Sequence, residues 1–193
     1  GESYTTVSTT YYKYKTTTDA RFTEVKDGKD IPTILYGAID AAATTSLTSG
    51  EDIWGAKYVT KSTTLYGKIE HNRPLQTQVK ATTTGKNLFG EGYTTISTTD
   101  YTYTTTTDAG FKESDGTPTI LYGKIATADT TSQTTGFDIW GATYVTNSTT
   151  VYGNIEHNRP LQTQVKATTT GKNLFGESYT TVSTTYYKYK TTT

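Results

Sequence analysis

The chain has 193 residues, equal numbers of acidic and basic side chains, and neither cysteine nor methionine. Balanced, well-mixed charge excludes a phosphate-tracking stripe, so no nucleic-acid partner is expected, and absent cysteine excludes disulfides and thiolate metal sites. No apolar run approaches the roughly 20 residues of a membrane helix, so no membrane insertion is expected.

Threonine fills 50 positions and tyrosine 17, whereas Ile, Leu, Val and Phe together make up under a fifth of the chain. So thin an aliphatic supply borders on the composition of disordered chains, but zero net charge and abundant tyrosine argue for folding. Threonine, tyrosine and valine favour pleated, half-buried surfaces, and no stretch has a convincing helical period. An all-β, antiparallel fold is therefore expected.

In chain order, GESYTTVSTTYYKYKTTT at 1–18 opens with period-two alternation and returns unchanged at 176–193, with a looser copy at 90–107. The copies begin 89 and 86 residues apart, which makes this a tandem repeat and sets the architecture. The chain opens inside a repeat and reads as a fragment or processed piece. Its expected parts are a terminal β element at 1–18 left from a preceding repeat, one repeat unit at 19–107 and a second at 108–193. The three additional residues of the first unit fall at 25–34, against 113–120, where a lengthened surface hairpin would house them.

Turn signals follow at 26–29, 49–52, 71–74 and 85–87. About eight strands per unit, roughly ten residues apart, suit a sandwich or another hairpin-built domain. A β-solenoid or a stacked filament is the alternative, although the uneven spacing of aromatics speaks against solenoid rungs. An aromatic followed by glycine recurs at Tyr36, Trp54, Tyr66 and Phe89, and again at Tyr122, Trp140, Tyr152 and Phe175. An aromatic covering a strand glycine recovers lost packing, so these eight are expected to serve as packed structural positions that bind no ligand.

IEHNRPLQTQVKATTTGKNLFGE is identical at 69–91 and 155–177 and carries both histidines. His71 and Arg73, with His157 and Arg159, are the candidate surface contacts, set in a hairpin turn fixed by Asn and Pro. One histidine per unit, without a second His or Cys, makes a poor metal site. No nucleophile elbow, P-loop or HExxH motif is present, so neither an enzyme nor a cofactor is expected. Asn147 heads the one N-glycosylation sequon, and its counterpart is Lys61.

In composition and repetition the chain resembles threonine-rich repeat regions of microbial surface adhesins and extracellular fibres. That resemblance implies an extracellular or cell-surface structural segment, self-assembling head to tail through β-strand contacts. A glycan- or surface-binding adhesin module is the second expectation, and ice binding through threonine ladders the third. The terminal strands, with high β propensity and no proline, would be the templates for assembly.

Overall fold

A computed structural model describes residues 2–112, 116–156 and 158–190. It contains thirteen strands: β1 (Ser3–Lys26), β2 (Lys29–Glu51), β3 (Lys57–Tyr66), β4 (Lys68–Glu70), β5 (Arg73–Leu75), β6 (Gln78–Lys86), β7 (Gly92–Lys112), β8 (Pro118–Phe137), β9 (Thr143–Val151), β10 (Asn154–Glu156), β11 (Arg159–Leu161), β12 (Gln164–Lys172) and β13 (Ser178–Tyr186). The fold is all-β and antiparallel. Nine strands form one open sheet in the order β1-β2-β3-β6-β7-β8-β9-β12-β13, while β4-β5 and β10-β11 are separate two-stranded hairpins.

Of the expected forms, the hairpin-built one is present. Among the described residues no second sheet stacks on the first as a sandwich would require, and antiparallel neighbours rule out solenoid rungs. The two sequence copies contribute to one sheet: β6 closes the first copy and pairs directly with β7 of the next, from Gln78↔Asp100 to Lys86↔Gly92. The positions 18/19 and 107/108 each fall inside an uninterrupted strand.

Strands are fewer than expected, six per copy instead of eight, because the threonine-rich hairpins run on. β1 and β2 hold 24 and 23 residues, and β7 and β8 hold 21 and 20. The β1-β2 hairpin turns at Asp27-Gly28, both left-handed, with φ of 53° and 72°. That two-residue turn matches the twist of its strands. Residues 113–115, where the second copy is shorter, lie outside the described residues.

Bulges accommodate the long hairpins. Register slips between Lys13 and Tyr14 and between Lys15 and Thr17 on β1, and between Thr102 and Tyr103 and between Thr104 and Thr106 on β7. Gly37 and Gly123 sit opposite these slips with φ of 78° and 75°, a conformation that a Cβ opposes.

Between the bulges and the turn edge, residues line up in rows across all nine strands. One row is threonine throughout: Thr6, Thr48, Thr60, Thr83, Thr95, Thr134, Thr146, Thr169 and Thr181. On the same face, two residues further along each strand, the Ser8 row holds only serine and alanine. Beyond it lies the Thr10 row, of threonine and valine. On the other side of the threonine row, tyrosine and glycine alternate from Tyr4 and Gly50 to Gly171 and Tyr179. These four rows, with side chains alternating faces along each strand, make a hydroxyl face without a single charged residue. The opposite, mixed face carries Lys61, Lys80, Asp100, Asp129 and Lys166 among its threonines.

A sheet of this kind has little interior. Ala42, Leu75 and Ala128 are the buried apolar residues among those described. Cohesion comes instead from backbone ladders and cross-strand side-chain pairs. Threonine hydroxyls pair as Thr6–Thr48 (2.9 Å), Thr60–Thr83 (2.8 Å), Thr95–Thr134 (2.9 Å) and Thr146–Thr169 (2.8 Å). Serine hydroxyls pair as Ser46–Ser62 (2.6 Å) and Ser132–Ser148 (2.7 Å).

Candidate functional site

Three features stand out from the regular ladder: a turn edge, a hairpin staple between copies, and the division between faces.

The turn edge is built four times from one motif. Asp52 Oδ1 accepts hydrogen bonds from the backbone N–H groups of Trp54 (2.8 Å) and Ala56 (2.9 Å). Asn87 does the same for Phe89 and Glu91, Asp138 for Trp140 and Ala142, and Asn173 for Phe175 and Glu177. An Asp or Asn oxygen mimicking a backbone acceptor is the usual device of such turns. The glycine after each aromatic takes φ between 80° and 97°, so its place in the motif answers a backbone demand. The aromatic itself points outward: Trp54, Phe89, Trp140 and Phe175 are 68–85% exposed. Exposure of this size corrects the expectation that these rings pack inward. All four lie on one edge of the sheet, one tip per two strands, about 9.5 Å apart.

Glycines are nonetheless covered by aromatics, across strands instead of along the chain. Tyr58 lies over Gly50, Tyr93 over Gly85, Tyr144 over Gly136 and Tyr179 over Gly171, so closely that a Cβ on any of these glycines would run into the ring.

The hairpin staple is β4-β5 in the first copy and β10-β11 in the second. His71 and Asn72 form its two-residue turn, with φ of 50° and 61°. Asn72 Oδ1 accepts from the Ile39 N–H at the β2 bulge. Asn158 repeats this on Ile125 N–H (2.6 Å) and also donates to the Gly123 carbonyl (3.0 Å). Each staple therefore satisfies backbone groups that the bulge leaves unpaired. His157 lies outside the described residues.

The first staple also reaches the second copy. The His71 ring stands 4.0 Å from that of Tyr122, tilted by 49°. Leu75, 5% exposed, packs beside Gly123, where an added Cβ would come within 3.1 Å of Leu75 Cδ2. Tyr103 donates its hydroxyl proton to the Gln76 carbonyl (2.6 Å), and burial pushes this phenol above its ordinary pKa. Tyr189 makes the equivalent bond to Gln162 (2.8 Å). Tyr66 and Tyr152 are half-buried near these staples, whereas Tyr36 is 80% exposed against 42% for Tyr122. Arg73 and Arg159 are exposed in their hairpins. Asn147 is exposed on the mixed face, where it accepts from Gln133 (2.9 Å).

The division between faces could not be drawn from the sequence without the register. Within the rows shared by both copies, ten positions differ. They are Ser3/Gly92, Val7/Ile96, Tyr11/Asp100, Ala43/Asp129, Leu47/Gln133, Ser49/Thr135, Glu51/Phe137, Lys57/Thr143, Lys61/Asn147 and Leu65/Val151. Every one lies on the mixed face. The hydroxyl face is identical in the two copies.

No family model, curated protein or solved structure matches the chain.

Proposed function

We propose that this is a structural segment of an extracellular filament or cell-surface stalk, in which successive copies extend one sheet through β-strand contacts. The observation that carries this reading is the junction between copies. β12 meets β13 in the same register in which β6 meets β7, from Lys172↔Ser178 to Gln164↔Tyr186. The staple then seats His71 and Leu75 on Tyr122 and Gly123, while the matching Tyr36 and Gly37 of the first copy stand open. A further copy, in the same chain or another, finds a prepared seat there, and the partner is the repeat itself. Contacts of this head-to-tail kind do not close on themselves.

Arrays with one, two and three added copies test it by small-angle scattering. Four long-sheet strands per copy should lengthen the particle by about 19 Å each time. Increments of roughly 30 Å, the width of a separate domain of this size, would overturn the reading.

A second reading, an adhesin-type module, draws support from the four exposed aromatic tips aligned on one edge, since aromatics anchor many binding surfaces. Glycans or surfaces are the ligands to try. Trp54→Ala with Trp140→Ala should then abolish retention on an immobilised glycan or surface that holds the unaltered chain, and leave stability untouched.

A further inference from the structure

We propose that the hydroxyl face pairs with the same face of a second copy of this chain, giving a two-layered particle with a dry interior. A β-sheet ordinarily buries one face against another layer, and this sheet, with three buried apolar residues among those described, has none. Only one of its faces can be covered cheaply. It bears no charge, so association desolvates no ion. Sixteen of its hydroxyls pair across strands, and the others, Ser97 among them, can rotate to meet hydroxyls of the facing copy. Its middle row of serine and alanine lets a second backbone approach closely.

Area is sufficient. Nine strands at 4.7–4.9 Å and seven residues along each give roughly 1,000 Å² per copy, so a pair removes about 2,000 Å² from water, the size of a stable interface. Identity of this face in both copies, with all ten differences on the other, is what a self-complementary surface requires, since any residue there meets a copy of the same pattern. The mixed face, carrying Lys61, Lys80 and Lys166, limits association to two layers. Face pairing therefore ends at two chains, whereas growth along the sheet edges has no such limit, and the two can fail separately.

Sedimentation equilibrium of the 193-residue chain tests it, with lysine placed at adjacent positions of β8. The unaltered chain should have the mass of two chains, or an even multiple of one where sheet edges also join. Ser132→Lys, on the hydroxyl face, should halve that mass, raising the dissociation constant of the pair about a hundredfold or more by burying an unpaired charge. Thr131→Lys, on the mixed face, should leave the pair intact. Far-UV circular dichroism checks that both remain sheets. Should Ser132→Lys lose its sheet, nitration of the unaltered chain decides instead: Tyr58, Tyr93 and Tyr144 should resist nitration when concentrated and react on dilution. A chain that is monomeric at its highest attainable concentration overturns the proposal. So does a Ser132→Lys variant that keeps its sheet and its full mass, or a tyrosine row whose reactivity ignores concentration. If the monomer shapes ice crystals and Ser132→Lys abolishes that, the face serves ice instead of a second copy.

Discussion

The two faces of this sheet share one backbone, one hydrogen-bond ladder and nearly the same threonine content, yet they differ in what they tolerate. On the mixed face Leu47 gives way to Gln133 and Glu51 to Phe137, changes of polarity and charge that leave the register unaltered. On the hydroxyl face not even Ser and Thr interchange between copies. Because ladder and strand propensity are common to both, neither explains the difference. Side-chain fit does: on the hydroxyl face tyrosine rings lie over four glycines and hydroxyls pair from strand to strand, whereas within the shared rows the mixed face has one such ring, Phe137 over Gly92, so a change on the hydroxyl face more often disturbs a neighbour on the adjacent strand.

The sharpest test is at the tyrosine–glycine row. Gly136→Ala should cost about 1–3 kcal/mol, the ordinary penalty of overpacking, because the new methyl group collides with the Tyr144 ring. Urea denaturation reads it as a lowered midpoint, and adding Tyr144→Ala should recover part of the loss. An unchanged midpoint would mean that the ring moves freely and that the row imposes no constraint.

Adjacent positions on β8 give a gentler contrast. Thr134→Ala removes a β-branched residue and leaves the Thr95 hydroxyl without its partner, for about 0.5–1 kcal/mol. Gln133→Ala, its neighbour on the mixed face, should stay within about 0.5 kcal/mol. Equal costs at the two positions would erase the distinction between faces.

The smallest effect lies beyond the shared rows. In the first copy the bulge residue Asp40 is held by Lys13 (3.1 Å) and Lys15 (3.3 Å), whereas the second copy has Ala126 there and pairs Thr102 with Thr127 (2.7 Å). Hydrogen bonding to Lys13 and then Lys15 lowers the Asp40 pKa below the ordinary carboxylate value. A lowered folded pKa adds stability above the unfolded value, and that stability fades as pH falls through the folded one. Asp40→Asn should therefore lose a little stability near neutrality, change almost nothing below the folded pKa, and so flatten slightly the acid limb of the stability–pH curve. A steeper acid limb in the variant would contradict the assignment.

Much of this was legible in the residues. Period-two alternation announced strands, and the signals at 26–29 and 71–74 fall at observed turns. The turns read at 49–52 and 85–87 sit a few residues later, at 52–56 and 87–91, because Asp52 and Asn87 cap them. The rows were not legible, since a nine-threonine line exists only once every hairpin register is fixed, and no single segment contains it. Aromatic–glycine neighbours misled for a related reason. Trp54-Gly55 is a turn with a free ring, while the glycine that needs covering, Gly50, finds its ring eight residues on at Tyr58. Cross-strand partners are distant in sequence, and spacing alone does not reveal them. The staple was visible as a hairpin, but its grip on Ile39 and Tyr122 was not, because both partners lie more than thirty residues away.

The meander that joins copies edge to edge has a mechanical corollary. A tether fixed at the two ends of an array pulls along the hydrogen bonds of the sheet, so its ladders open one after another like a zip and do not slide all at once. A folded copy contributes about 19 Å to the tether, whereas its roughly 87 residues, drawn straight, reach about 290 Å. Each copy is thus a store of slack, released strand by strand under load.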